Sequence, residues 1–207
     1  MYKPGTKIGI QTNEGKAAYD ECIKFLKNQK ALGEVTFDEK LSRASQDHAD
    51  DIGPKGMTGH DGSDGSNVDD RISRYVDWDV TILENCDFGS TNAVDIIISL
   101  IVDDGVSSRG HRSNIFNAQA KFVGVGLADH TEYGICTVLN YCGGINGYKD
   151  AKSSNPNNSK KTNEKKSHPN APTQINNGKN QDSDLPEDKK ALSQDLVKEL
   201  KIVRAHV

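Results

Sequence analysis

The sequence predicts an α+β fold, with helices packed on a small antiparallel sheet and a tail that has no core of its own. Helical periodicity fills the first hundred residues and β-rich segments come only afterwards. That order suits helices laid on one antiparallel sheet better than alternating βαβ units. Apolar residues also stop early: between Asn146 and Lys190 only Tyr148, Ala151, Ala171, Ile175 and Leu185 are apolar, 5 of 45. So few cannot offset the entropy of ordering that backbone. Charge divides at the same place. Residues 1–148 carry 14 Lys/Arg and 22 Asp/Glu, a net of −8, whereas residues 149–207 carry 12 and 8, a net of +4. The expected organisation is an N-terminal extension (1–14), a folded domain (15–145), a low-complexity disordered linker (146–184) and a short amphipathic helix (185–207).

Each element has a local signature. Residues 15–31 read as an amphipathic helix, with Ala18, Cys22, Phe25 and Leu26 on one face. Thr36 and Glu39 have capping-box spacing and lead into Leu41, Ala44, Ser45, His48, Ala49 and Ile52, again one face, before Gly53-Pro54 stops the helix. The stretch Gly56–Gly65 is too rich in Gly and Asp for regular structure. Ser66 and Asp69 open a short helix to about Tyr75, and Ser90 or Thr91 caps another, with face Val94, Ile97, Ile98 and Ile101 and end at Asp103-Asp104-Gly105. Lys121–Leu127 and Glu132–Cys142 read as strands. In the tail, Leu192, Leu196, Leu200 and Val203 form one stripe: either a lone, marginal helix or a docking element.

Composition excludes several classes. An acidic folded part argues against nucleic acid as its partner, because phosphate affinity needs clustered Lys and Arg. The longest apolar run, Ile96 to Val102, is interrupted by Ser99 and falls far short of the ~20 residues a bilayer requires. Met1-Tyr2-Lys3-Pro4-Gly5 shows no apolar signal-peptide region, so the protein is either intracellular or read from downstream of its export signal. Cys22, Cys86, Cys136 and Cys142 have no zinc-ribbon spacing. They are either buried free thiols or two disulfides.

Chemistry concentrates in three blocks. The segment from Asp61 mimics an EF-hand start, but its third ligand position is Gly65 and its twelfth residue is Ile72, so a calcium loop fails. The glycines instead let a loop turn sharply and present His60. His60, Glu84 and His111 each lie beside a loop or helix edge where side chains can converge. Two imidazoles and one carboxylate form a sensible Zn²⁺ set with an open fourth position, although separations of 24 and 27 residues make no metal motif.

In order along the chain stand Gly59-His60-x-Gly62-Ser63-x-Gly65-Ser66, Arg71-Ile72, Glu84-Asn85, Gly110-His111-Arg112-x-Asn114-Ile115 and Val123-Gly124-Val125-Gly126. Over about residues 15–143 this order resembles the CAP superfamily, the SCP-like group named for cysteine-rich secretory proteins, antigen 5 and pathogenesis-related proteins, in its compact bacterial or protist form. The resemblance implies a three-layer α-β-α sandwich and a central cavity lined by two His and acidic residues. His60 matches the first cavity His, Glu84 the acid of the Glu-Asn block and His111 the second His, a trio that implies a divalent metal such as zinc and no organic cofactor. Two departures stand out. Leu83 replaces the usual Gly before Glu-Asn, and the place of a second Glu holds Leu100 or Ile101, with Asp103 and Asp104 one turn onward as candidate substitutes.

Other polar residues carry structural expectations. His48 falls on the buried face of its helix, as a core histidine or a further cavity residue; His130 is expected exposed in a hairpin turn. Arg109 and Arg112 either hold an anion or pair with local acids, Asp103 or Asp104. Asn157 is a glycosylation acceptor only in an exported chain. No Ser or Cys stands beside His60 or His111 in a nucleophile elbow. Catalytic residues are therefore not assigned, and the expected function is an extracellular module binding lipid, sterol, membrane or protein. The alternative is a zinc-dependent hydrolase using the same cavity. The cationic tail offers peripheral attachment to anionic membranes.

Overall fold

In a computed structural model of the protein, the described residues are 12–149 and 185–206. Residues 1–11, residues 150–184 of the expected linker with its Asn157 acceptor, and residue 207 lie outside them. Along the described chain come α1 (Lys16–Asn28), β1 (Thr36–Phe37), α2 (Glu39–Ile52), α3 (Val68–Ile72), β2 (Val76–Phe88), α4 (Ala93–Val102), α5 (Gly110–Ile115), β3 (Phe122–His130), β4 (Gly134–Tyr148) and α6 (Glu187–Ala205). The strands form one sheet in the order β1-β3-β4-β2. Its three long strands are antiparallel, and β1 adds a short parallel pair to β3. One face carries α2 and α3; the other carries α1, α4, α5 and α6. The fold is the α+β sandwich the sequence implies.

Several boundaries differ, each for a local reason. Strand β2 is absent from the periodicity because Asp77, Asp79, Glu84 and Asp87 interrupt its apolar alternation; pairing with β4 from Val76↔Tyr148 to Phe88↔Cys136 makes it a strand. That pairing also carries β4 to Tyr148, beyond the expected domain end at 145. Thr36 does not cap α2, because it is paired in β1; Asp38 caps instead, accepting from the Leu41 N–H at 2.7 Å. Asn92, not Ser90 or Thr91, caps α4. The buried face of α4 is Ile96, Ile97, Leu100 and Ile101, with Val94 and Ile98 turned outward. His130 is buried rather than exposed: its Nε2 donates to the Met57 carbonyl (2.9 Å), and its Nδ1 accepts the N–H groups of Glu132 and Tyr133 that close the hairpin. All four cysteines are buried free thiols.

Helix α2 lies directly against the backbone of β3. A Cβ on Gly124 would lie 2.3 Å from the Leu41 backbone, and one on Gly126 2.3 Å from that of Ser45. The Val-Gly-Val-Gly run therefore turns Val123 and Val125 into the larger core while its glycines admit the helix backbone. Where β1 ends, side chains of α2 take over the pairing. Ser42 Oγ accepts from the Val125 N–H at 3.1 Å, and the Gln46 amide both accepts from and donates to Leu127 at 3.0 and 2.9 Å.

Helix α6 docks on its own chain, against α4 and β3. Leu196, Val197 and Leu200 enter the larger core. Buried Arg204 donates to the carbonyls of Gly33, Ile115, Asn117 and Ala120. Lys189 pairs with Asp129 at 3.0 Å. No described helix is long and apolar enough to cross a membrane.

Two outcomes follow for stability. Gly124→Ala forces the α2 backbone off the sheet and costs about 2–3 kcal/mol or more, read as a lower urea midpoint at unchanged m. Deleting residues 185–207 exposes a seam that three apolar side chains fill, each contributing about 1.5–3 kcal/mol. Thermal unfolding of the truncated chain is expected about 10 °C or more lower by the usual scaling of roughly 2–4 °C per kcal/mol.

Candidate functional site

Two loops meet across the middle of β2. The first, between α2 and α3, carries His60. It is pinned at its base by Asp51, whose carboxylate accepts from the N–H and hydroxyl of Ser63, both at 2.6 Å, and pairs with Lys55. It closes on itself through Gly62 N–H to Ser66 O at 2.8 Å. Gly59, at φ 105, supplies the turn that sets the His60 ring on the cleft wall.

Behind His60 lies Glu84. Its side chain is 2% exposed, and Oε1 accepts from His60 Nδ1 at 2.9 Å. Buried Arg71, on α3, donates to both Glu84 oxygens at 3.1 and 2.9 Å. With its amide oriented to satisfy its neighbours, Asn140 of β4 donates to Oε2 at 2.9 Å. The carboxylate is thus filled by donors and acts as the partner of His60 Nδ1. As a third metal ligand, the role its residue type suggested, it would have to give up these bonds. The Glu84 hydrogen bond, opposed by desolvation, raises the His60 pKa above its ordinary 6.5.

The second loop follows α4. Asp103 ends that helix in the left-handed conformation, φ 56, which throws its carboxylate back over α5. There Oδ1 accepts from His111 Nδ1 at 2.7 Å and Oδ2 from the His111 N–H at 2.9 Å. Asp103 is the acid of this wall. Asp104 is not in the cleft: it turns outward and accepts the N–H groups of Asn13 and Glu14 at 2.6 and 2.9 Å. Arg109 and Arg112 pair with other acids than expected, Glu14 and Glu21 for the first and Glu21 for the second. Neither guanidinium is spare for an anion. His111 O accepts from Asn85 Nδ2 at 3.0 Å, and Asn114 Nδ2 reaches Asn85 Oδ1 and Glu84 O at 2.8 and 3.0 Å. The Glu-Asn block and the Gly-His-Arg block are therefore knit into one unit.

The two walls bring His60 and His111 together, ring centroids 6.2 Å apart. Their side chains are 52% and 24% exposed. Each Nδ1 is held by a carboxylate, and no hydrogen bond among the described residues engages either Nε2. A tetrahedral ion with metal–nitrogen bonds of about 2.0 Å sets two imidazole centroids roughly 5 Å apart, so the two rings would close by about 1 Å to share one divalent metal.

His48 stands outside this pair. It is fully buried behind Glu84; its Nε2 donates to the Gly59 carbonyl at 3.0 Å, and burial lowers its pKa. It supports the first loop from below. One ligand atom each of His48, Glu84 and Cys86 also lie within 4.8 Å of one another. That cluster suits a cation poorly: it includes the carboxylate held by the Arg71 guanidinium, and burial pushes the Cys86 thiol well above its ordinary range. Arg71, Asn85 and Asn114 lie within the recognised blocks but have no role legible from spacing. Asn140 carries no sequence signal at all, since only the register of β4 on β2 brings it to Glu84.

The family model for CAP, described as the cysteine-rich secretory protein family, matches residues 23–141, more than half of the chain. The chain belongs to the CAP family. Among solved structures it is similar to an extracellular protein containing an SCP domain from Bacillus anthracis str. Ames, at 19% identity and TM-score 0.45, covering 65% of this chain and 45% of that one. It is also similar to an outer surface protein from Borrelia burgdorferi, at 17% identity and TM-score 0.46, covering 65% of this chain and 98% of that one. No curated protein matches. Outside the CAP match lies α6, so its docking on α4 is an addition to the matched region.

The loop pin of the CAP domain titrates in acid. Burial alone would raise Asp51, but the bonds from Lys55 and Ser63 override it and hold the carboxyl at about 2, against an ordinary 3.8. A depressed carboxyl contributes stability that is present above pH 3.8 and lost as pH falls through about 2. Asp51→Asn is expected to remove about 1 kcal/mol at neutral pH, discounted for partial exposure, and to flatten stability against pH in that window. Urea midpoints from pH 5 to 2 measure both.

Proposed function

We propose that this CAP domain is an extracellular binding module that holds one divalent metal, zinc by its donor chemistry, on His60 and His111 Nε2. One observation carries the reading: both rings have Nδ1 fixed by a buried carboxylate, Glu84 for one and Asp103 for the other, and meet at 6.2 Å. A carboxylate behind a histidine fixes its tautomer and raises its basicity as a ligand. Bound zinc would supply a Lewis acid with open positions for a donor atom from a ligand. Cys86, with Sγ 3.9 Å from His60 Nδ1, offers no ready thiolate nucleophile beside the pair, because burial pushes its thiol well above its ordinary range. The partner belongs to the lipid, sterol or protein classes. The cationic tail is a second, separate means of association with anionic membranes.

Zinc titration by calorimetry tests the metal site. One equivalent is expected to bind, reversibly with EDTA, and His60→Ala or His111→Ala to weaken it at least 100-fold. Equal affinity in the double variant, or no binding by the wild type, overturns the reading. Protons compete for the same lone pair, and the His60 pKa is raised. Affinity therefore rises with pH and reaches its plateau above the ordinary imidazole range, near 6.5.

A further inference from the structure

Arg71 does more than neutralise a buried acid. The residue is 1% exposed, and its guanidinium lies where α3, the His60 loop and β2 converge. Nη1 donates to the Ser66 carbonyl at 2.7 Å, and Nη2 to the His60 carbonyl at 2.8 Å. Nη2 also reaches both Glu84 oxygens. One rigid, planar group thus fixes the main chain that carries His60 and the carboxylate that orients its ring. Lysine could not span these partners, since its ammonium is a point charge on a flexible stem.

From this geometry we infer that Arg71 is the positioning residue of the site, setting the His60 ring by clamping its loop onto Glu84. The inference rests on the proposed metal site. Glu84 alone could hold Nδ1 with the loop displaced, and the loop could close with Glu84 in another rotamer. Only the guanidinium requires both at once. His111 has no equivalent, because its N–H and its ring share the single carboxylate of Asp103. The clamp is specific to the His60 wall.

A double-mutant cycle separates positioning from general packing. Arg71→Met is expected to weaken zinc 10–100-fold, the usual cost of losing an outer-shell partner. Glu84→Gln should cost a similar factor, and the double variant no more than about twofold beyond Glu84→Gln alone, because Arg71 acts through that carboxylate. Should Arg71→Met not fold, Arg71→Lys replaces it in the same cycle. ¹⁵N spectra of the metal-free protein, well above the imidazole range, read the ring directly: His60 in the wild type is the Nδ1–H tautomer, and in the Arg71 variant a mixture, while His111 is unchanged. Additive losses, zinc affinity within twofold of wild type, or an unaltered His60 tautomer would overturn the role of Arg71. A wild type that binds no zinc removes the metal site itself.

Discussion

Everything at the cleft depends on how a carboxylate is kept inside the protein. Burying Glu84 unpaired would cost several kcal/mol, so its oxygens must be met by donors wherever the chain can bring them. Those donors come from the loop after α2 (His60), from α3 (Arg71) and from β4 (Asn140). Three separate stretches of chain are thus committed to one point on β2. The loop cannot move without costing Arg71 its bonds to the Ser66 and His60 carbonyls, and β4 cannot slip without removing Asn140. The glycines of the loop permit its path, but the acid behind it decides where the path ends.

The opposite wall uses a different device. Consecutive aspartates diverge: Asp103 turns inward to His111, while Asp104 turns outward to the N–H groups of Asn13 and Glu14. The left-handed backbone at Asp103, φ 56, makes the divergence possible, and Arg109, φ 50, repeats it at the start of α5. Such conformations cost free energy and persist where the surroundings over-determine them. Here Arg109 donates to Glu14 and to the Asp103 carbonyl, so the segment before α1 braces the loop that leads into α5 and His111. A feature at the edge of the domain is therefore mechanically continuous with its cleft.

The scaffold beneath both walls is set by close approach rather than by bulk. Gly124 and Gly126 let α2 lie on β3, and Ser42 and Gln46 satisfy strand groups that no neighbouring strand reaches. On the other face α6 completes the layer. Arg204 shows how firmly it is seated: its buried guanidinium is satisfied by four main-chain carbonyls, and burial lowers its pKa. Charge is normally excluded from such a position unless every donor is used, which makes the docking geometry specific as well as apolar.

Much of this was legible in local pattern. Apolar faces at helical spacing located α1 and α2, and alternation located β3 and β4. The ordered His, Glu-Asn and Gly-His-Arg blocks singled out His60, Glu84 and His111, and Asp103 was within reach as a substitute acid. Sequence could not show which acid faces inward, because Asp103 and Asp104 differ only in the backbone conformation their neighbours impose. Nor could it show that Glu84 stands behind a histidine, that His48 lies beneath the loop, that His130 is buried, or that Arg71 and Asn140 share one carboxylate. The sequence by itself determined most of the helices, two of the strands, the fold class and the histidines of the cleft, because these follow from periodicity, turn chemistry and residue type at short range. Tertiary structure alone decided their roles, since a side chain's role is fixed by which hydrogen bonds remain for it once strands from distant parts of the chain have paired.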